Sequence, residues 1–246
     1  MRCTGFIAVS VGILLTSSAL AASPAAQYDA CLAQAQNDPA GALLLASGWA
    51  KTGGGAAAQH CEALALVGLH RYGEAAAELD VLAHSGFAAN GSMRPALFDQ
   101  AGNAWLLAAR PDSAIASFSA ALAIDPFDAD LLADRARALA YKKDWAKADS
   151  DLTAALLVNP DRADLYVLRG SARHAMGHKA DARADFDRAL QLQPRNPDAL
   201  VERGASKFES GDVAGARADW QAVIASYPNS DAAQAARQHL ADTAPQ

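Results

Sequence analysis

An all-α solenoid of stacked helix–turn–helix hairpins is what the residue pattern of this chain requires. Pro126, Pro160, Pro194 and Pro228 stand 34 residues apart, and a fixed period of that length marks stacked hairpins rather than one globular core. Each period carries large apolar residues at helical spacing, then small residues where two helices must touch. Composition agrees. The 246 residues are 52% hydrophobic but only 7% aromatic, so alanine fills the difference, and alanine favours helix. No run of alternating Val, Ile and Thr argues for strands.

The units repeat in register. Pro95 to Asp128 holds Phe98, Ala101, Gly102 and Trp105, then Ala114, Phe118, Ala121 and Pro126. Ala129 to Arg162 places Leu132, Ala136, Leu139, Ala148, Leu152, Ala155 and Pro160 at the matching positions. Ala163 to Asn196 has Tyr166, Gly170, Ala182, Phe186, Ala189 and Pro194; the fourth unit, from Pro197 to about Asp231, has Leu200, Gly204, Ala216, Trp220, Val223 and Pro228. Small residues at Gly102, Ala136, Gly170 and Gly204 let the second helix of each unit approach, and each proline stops that helix. One hairpin cannot bury both of its apolar faces, so neighbours must stack.

Upstream the pattern is weaker. Ala25 to Gln36 and Ala40 to Lys51 read as one hairpin, broken at Asn37-Asp38-Pro39. A first helix from about Ala56 to His70 and a second opening at Arg71-Tyr72-Gly73 read as another. Gly53-Gly54-Gly55 is a turn between them. Gly86 to Arg94 reads as a bend between two sub-arrays, and Ser230 or Asp231 caps a last helix to about Leu240 that covers the end of the stack. The chain thus divides into a leader (1–21), divergent hairpins (22–94), four tandem units (95–228) and a capping helix with tail (229–246).

The four units resemble the tetratricopeptide repeat family. That resemblance implies a right-handed α-solenoid with a C-terminal capping helix, and a function in protein–protein interaction. There are departures. Arg135, Arg169 and Arg203 stand where the family usually has Leu, and Arg173 and Lys207 where a large apolar residue is usual. Arg135, Arg169 and Arg203 share a period with Asp151, Asp185 and Asp219, which points to a salt-bridge ladder within units. A groove for an acidic ligand is the rival reading. Exchanging Arg169 and Asp185 is then expected to restore the stability lost in either single variant.

The first residues read as a cleavable signal peptide. Arg2 supplies the charge, Phe6 to Leu15 the apolar stretch, and Ala19-Leu20-Ala21 the small-residue cleavage pattern. An uncleaved anchor is the alternative, although the apolar part falls short of the ~20 residues that span a bilayer. Cleavage removes Arg2 and takes the net charge from −6 to −7. No membrane insertion is expected after it, and an acidic exported protein is a poor nucleic-acid binder. Cleavage also leaves two cysteines, Cys31 and Cys61, expected to form a disulfide in a periplasmic or secreted protein; two buried free thiols are the alternative.

No catalytic constellation stands out, so no enzyme and no cofactor is expected. His60-Cys61-Glu62 lacks the second cysteine element of zinc deaminases, and Gly53-Gly54-Gly55 lacks the Lys-Ser/Thr of a phosphate loop. His174, Met176 and His178 are the best metal candidates, but Gly177 puts His178 in a turn, and no metal site is expected. In the tetratricopeptide family the concave groove is lined mainly by first helices. Carried onto this chain, the inward positions are Asp99, Asn103, Arg137, Tyr141, His174 and Phe208, a mixed polar and aromatic set suited to a peptide or partner protein. The family's chaperone-tail clamp is not expected, because Asp99 replaces a required cation. The expected function is a non-enzymatic periplasmic scaffold. An accessory factor to envelope enzymes, a small-ligand or metal carrier, and a passive spacer are the alternatives.

Overall fold

The computed structural model describes residues 23–89 and 93–243. The leader lies outside the described residues, as does the tail beyond 243. Among the described residues the helices are α1 Pro24–Asn37, α2 Pro39–Lys51, α3 Gly55–Gly68, α4 Tyr72–His84, α5 Met93–Leu107, α6 Pro111–Leu122, α7 Ala129–Tyr141, α8 Trp145–Val158, α9 Ala163–Ala175, α10 Lys179–Leu192, α11 Pro197–Glu209, α12 Val213–Ser226 and α13 Asp231–Asp242. A 3₁₀ turn, Gly86–Ala89, follows α4 where the bend is expected. No strand occurs among the described residues.

Local chemistry sets these boundaries. Asp38 accepts from the Gly41 N–H at 3.0 Å, Asn196 from the Ala199 N–H at 2.9 Å, and Ser230 from the Ala233 N–H at 3.1 Å. Each side chain satisfies a backbone donor that the first helical turn leaves open. The second helices α6, α8, α10 and α12 all end before their period's proline. The turn inside each of the four tandem units demands left-handed backbone at one position: Ala109 (φ 55°), Lys143 (φ 61°), Gly177 (φ 81°) and Gly211 (φ 89°). Glycine occupies it without strain in the last two units. Ala109 and Lys143 adopt it at a cost of about 1 kcal/mol each.

Helix contact within a unit depends on the pair sixteen residues apart. A Cβ on Gly102 would meet the Phe118 ring at 2.5 Å, one on Gly170 the Phe186 ring at 2.5 Å, and one on Gly204 the Trp220 indole. Where the facing residue is Leu152 rather than an aromatic ring, the small position is Ala136, and both are buried. Glycine therefore accompanies the ring and alanine accompanies leucine. Volume is conserved across the contact, as a close-packed interior requires.

Stacking continues this core along the chain. One buried cluster runs from Ala63 to Ala172 and a second from Ala163 to Ala236, and Tyr166 packs against both. Successive first helices α5, α7, α9 and α11 touch one another, whereas the second helices of neighbouring units make no comparable contact. Closer approach on one side curves the stack and puts the first helices on its inner face. The capping helix α13 packs on α11 and α12 and stacks His239 on Trp220 with ring centroids 5.0 Å apart.

Candidate partner-binding face

The inner face is built on α5, α7, α9 and α11. At its start, Asn103 donates from Nδ2 to Asp99 Oδ1 at 3.0 Å and approaches Asp134 Oδ2 at 3.5 Å. Asp134 in turn accepts from the Arg137 guanidinium. Asp99, Asn103 and Arg137 are thus brought into one cluster, joined through Asp134. Burial pushes the Asp99 carboxyl up to about 6, and the neighbouring Asp134 charge pushes the same way. Tyr141, one helical turn beyond Arg137, is 62% exposed.

His174 belongs to a second cluster. Its Nε2 lies 3.0 Å from Glu209 Oε1, and Lys179 binds the other oxygen of Glu209 at 2.8 Å. Hydrogen bonds from Lys179 and His174 hold the Glu209 carboxyl below its ordinary value. Glu202 lies within range of the His174 charge, and burial pushes its carboxyl up while His174 and His239 oppose the shift. Phe208 is 39% exposed and leans on Trp220 at 6.2 Å. His178 precedes the first residue of α10, past the Gly177 turn, so it does not share a helix with His174. Among the described residues no three metal-ligating side chains converge.

Between the helices of the second, third and fourth units runs the ladder. Arg135 binds both oxygens of Asp151 at 2.8 Å, Arg169 binds Asp185 at 3.0 and 2.7 Å, and Arg203 binds Asp219 at 2.9 and 2.8 Å. Each arginine also reaches back to the preceding unit's second helix: Arg135 to Ser119 at 3.2 Å, Arg169 to Thr153 at 3.3 Å, Arg203 to Asp187 at 3.2 Å. A planar fork with five donors can hold two partners in this way. The unusual cations join the same ladder. Arg173 bridges Asp149 and Asp185 at 2.7 and 2.9 Å, and Lys207 donates to Asp219 at 2.8 Å. Burial raises the Asp219 carboxyl, but Arg203 and Lys207 outweigh it and the net shift is downward.

The arginines of the ladder are therefore engaged with carboxylates rather than lining an acidic-ligand groove. Exchanging Arg169 and Asp185 also fails as a simple test, because the new arginine at 185 would face Arg173. In the first unit, where Ala101 replaces the arginine, Ser117 replaces the aspartate. There Asp80 accepts from Ser117 Oγ at 2.8 Å and from Trp105 Nε1 at 2.7 Å. Asp80 escapes the periodic reading because the bend after α4 shifts its register from that of Ser119 and Thr153.

The N-terminal hairpins are tied to the array by groups that periodicity does not reveal. Cys31 on α1 and Cys61 on α3 are fully buried with Cα atoms 6.0 Å apart, the separation a disulfide needs. Beside them His60 accepts at Nδ1 from the Tyr28 hydroxyl and lies 2.8 Å from Gln100 Oε1 through Nε2. Both bonds are satisfied by a neutral imidazole, and burial accordingly lowers the His60 pKa. This bond chain runs across α1, α3 and α5.

The helical hairpins, their period and their packing agree with what family comparison finds. The tetratricopeptide repeat model matches residues 133–197 and 175–231. This chain carries tetratricopeptide repeats over residues 133–231. Its repeats also match solved structures. The MamA fragment "41-end" from Desulfovibrio magneticus RS-1 is 16% identical, with 83% of this chain and 97% of that one covered and a TM-score of 0.58. TTC0263, a thermophilic tetratricopeptide protein of Thermus thermophilus, is 19% identical, with 73% and 95% covered and a TM-score of 0.59. At these identities the likeness is one of fold. No curated protein matches the chain.

Proposed function

We propose that this tetratricopeptide-repeat protein is a non-enzymatic scaffold that holds a peptide or a segment of a partner protein against its inner face. One observation carries the reading. The ladder draws its arginines into the helix interfaces, while Tyr141 stays exposed one helical turn from Arg137 of the Asp99–Asn103–Arg137 cluster, and Phe208 is part-exposed on α11. Tyrosine and arginine are frequent anchors of binding energy at interfaces. The exported setting is part of the same proposal. A leader with a small-residue cleavage pattern and a cysteine pair at bonding distance both suit an oxidising compartment.

The test is crosslinking in the native envelope fraction, affinity purification, and identification of the captured proteins by mass spectrometry. A reproducible partner, lost when Arg137 and Tyr141 are both changed to Ala in a protein that still melts normally, is the expected result. Undiminished capture by that variant would place the binding surface elsewhere. Copurification of a metal or small molecule in place of a partner would overturn the scaffold reading in favour of a carrier.

A further inference from the structure

A cleft of 530 Å³ opens between α6, α7 and α8, on the ladder side of the second repeat and away from the inner face. Its lining includes the buried Asp151 with its partner Arg135, and the apolar side chains of Ile115 and Leu139. The other units show what fills this place. At the position of Leu139 the third unit has Arg173 and the fourth has Lys207. Their cationic heads lie 2.9 and 2.8 Å from Asp185 and Asp219, the counterparts of Asp151. In the third unit the counterpart of Ile115 is Asp149, which takes the other side of the Arg173 fork.

The second unit thus keeps the anion of this arrangement but lacks the second cation. Asp151 accepts only the two bonds from Arg135, whereas Asp185 accepts the same two from Arg169 and a third from Arg173. An ionised carboxylate has about four acceptor sites, so capacity remains. Ile115 and Leu139 supply the apolar surface along which the stem of a lysine or arginine packs. Of the lysines that line the cleft, Lys142 is paired with Asp112 and Lys147 with Asp144, so both are already engaged.

We infer that this cleft is a docking site for one lysine or arginine side chain of a partner protein, whose cationic head takes on Asp151 the place that Arg173 and Lys207 take in the next two units. The site is separate from the inner face and does not depend on what binds there.

The experiment uses the full chain with labelled Ile and Leu methyl groups. Capped Gly-Arg-Gly peptide is titrated in, with agmatine as the free small-cation arm and capped Gly-Gln-Gly as the neutral control. The expected result is movement of the Ile115 and Leu139 methyl resonances with the arginine peptide and none with the glutamine peptide. Movement with agmatine alone would make the site one for free cations and overturn the partner reading. No movement with either cation would remove the site, and this arm needs no variant. Leu139→Arg, and the double variant Ile115→Asp/Leu139→Arg that copies the third unit, are expected to abolish the Ile-region or backbone shifts near Asp151 while the protein stays folded. The double variant guards against misfolding of the single one. Unchanged shifts in a folded variant would refute the proposal.

Discussion

The ladder is best tested in the second unit, where Arg135 and Asp151 form a pair that no third cation shares. The Asp151 side chain is 11% exposed and the Arg135 side chain 25%. Arg135→Met leaves Asp151 buried with no cation, and breaking a buried pair in this way costs about 3 kcal/mol. Asp151→Leu is milder, about 1–2 kcal/mol, because Arg135 keeps Ser119 and some access to water. Replacing both, with apolar groups of similar volume, is expected to cost about 1 kcal/mol or less, since neither charge is then stranded. The coupling between the two sites is therefore about 3 kcal/mol. Urea unfolding at neutral pH reads it, with the slope compared across variants because repeat arrays can lose cooperativity. A double variant that loses the sum of the two singles would show that the pair does not act as a pair.

Other expectations follow from the same geometry. Gly170→Ala pushes a Cβ into the Phe186 ring and should cost about 2 kcal/mol; adding Phe186→Leu, which copies Ala136 and Leu152, should recover part of that in thermal melts. Asp99 titrates near 6 when folded against an ordinary value of 3.8, so the folded state holds the extra proton between those values. Its contribution is present at low pH and lost as pH rises through 6. Asp99→Asn should therefore match the parent near pH 4 and exceed it at pH 7.5 by on the order of 1 kcal/mol after solvent screening, and equal stability at both pH values would contradict this. Thiol titration of denatured, unreduced protein should find Cys31 and Cys61 unreactive, and replacing both with Ser should cost about 3 kcal/mol; two reactive thiols would end the disulfide proposal.

The ladder also marks what the sequence made legible. The 34-residue period exposed where the helices of a unit approach closely, at Gly102, Ala136, Gly170 and Gly204, and the pairing of Arg135, Arg169 and Arg203 with Asp151, Asp185 and Asp219, though not the back-contacts of those arginines to Ser119, Thr153 and Asp187. Such contacts recur at a constant offset, so one unit explains the others. Periodicity fails where an offset changes. Asp80 serves the first unit as Ser119, Thr153 and Asp187 serve later ones, but the bend after α4 moves it out of register. The Tyr28–His60–Gln100 chain occurs once and leaves no periodic trace. The inner face is legible only as positions. Which side chains meet there depends on curvature, which sets Asn103 beside Asp134 and His174 beside Glu209 across adjacent units.

Departures from the period carry information of a different kind. Arg173 and Lys207 look like lapses in an apolar stripe, yet each supplies a second cation to a buried aspartate. Once that role is known, Leu139 becomes the exception. It matches the apolar pattern best and leaves Asp151 with one cation where its counterparts have two. A buried anion with unused acceptor capacity favours any cation that can reach it without losing all of its hydration, and the cleft above Asp151 provides that access. In a repeat protein each unit is a control for its neighbours, so the position that conforms to the general pattern can be the one that departs from this chain's own.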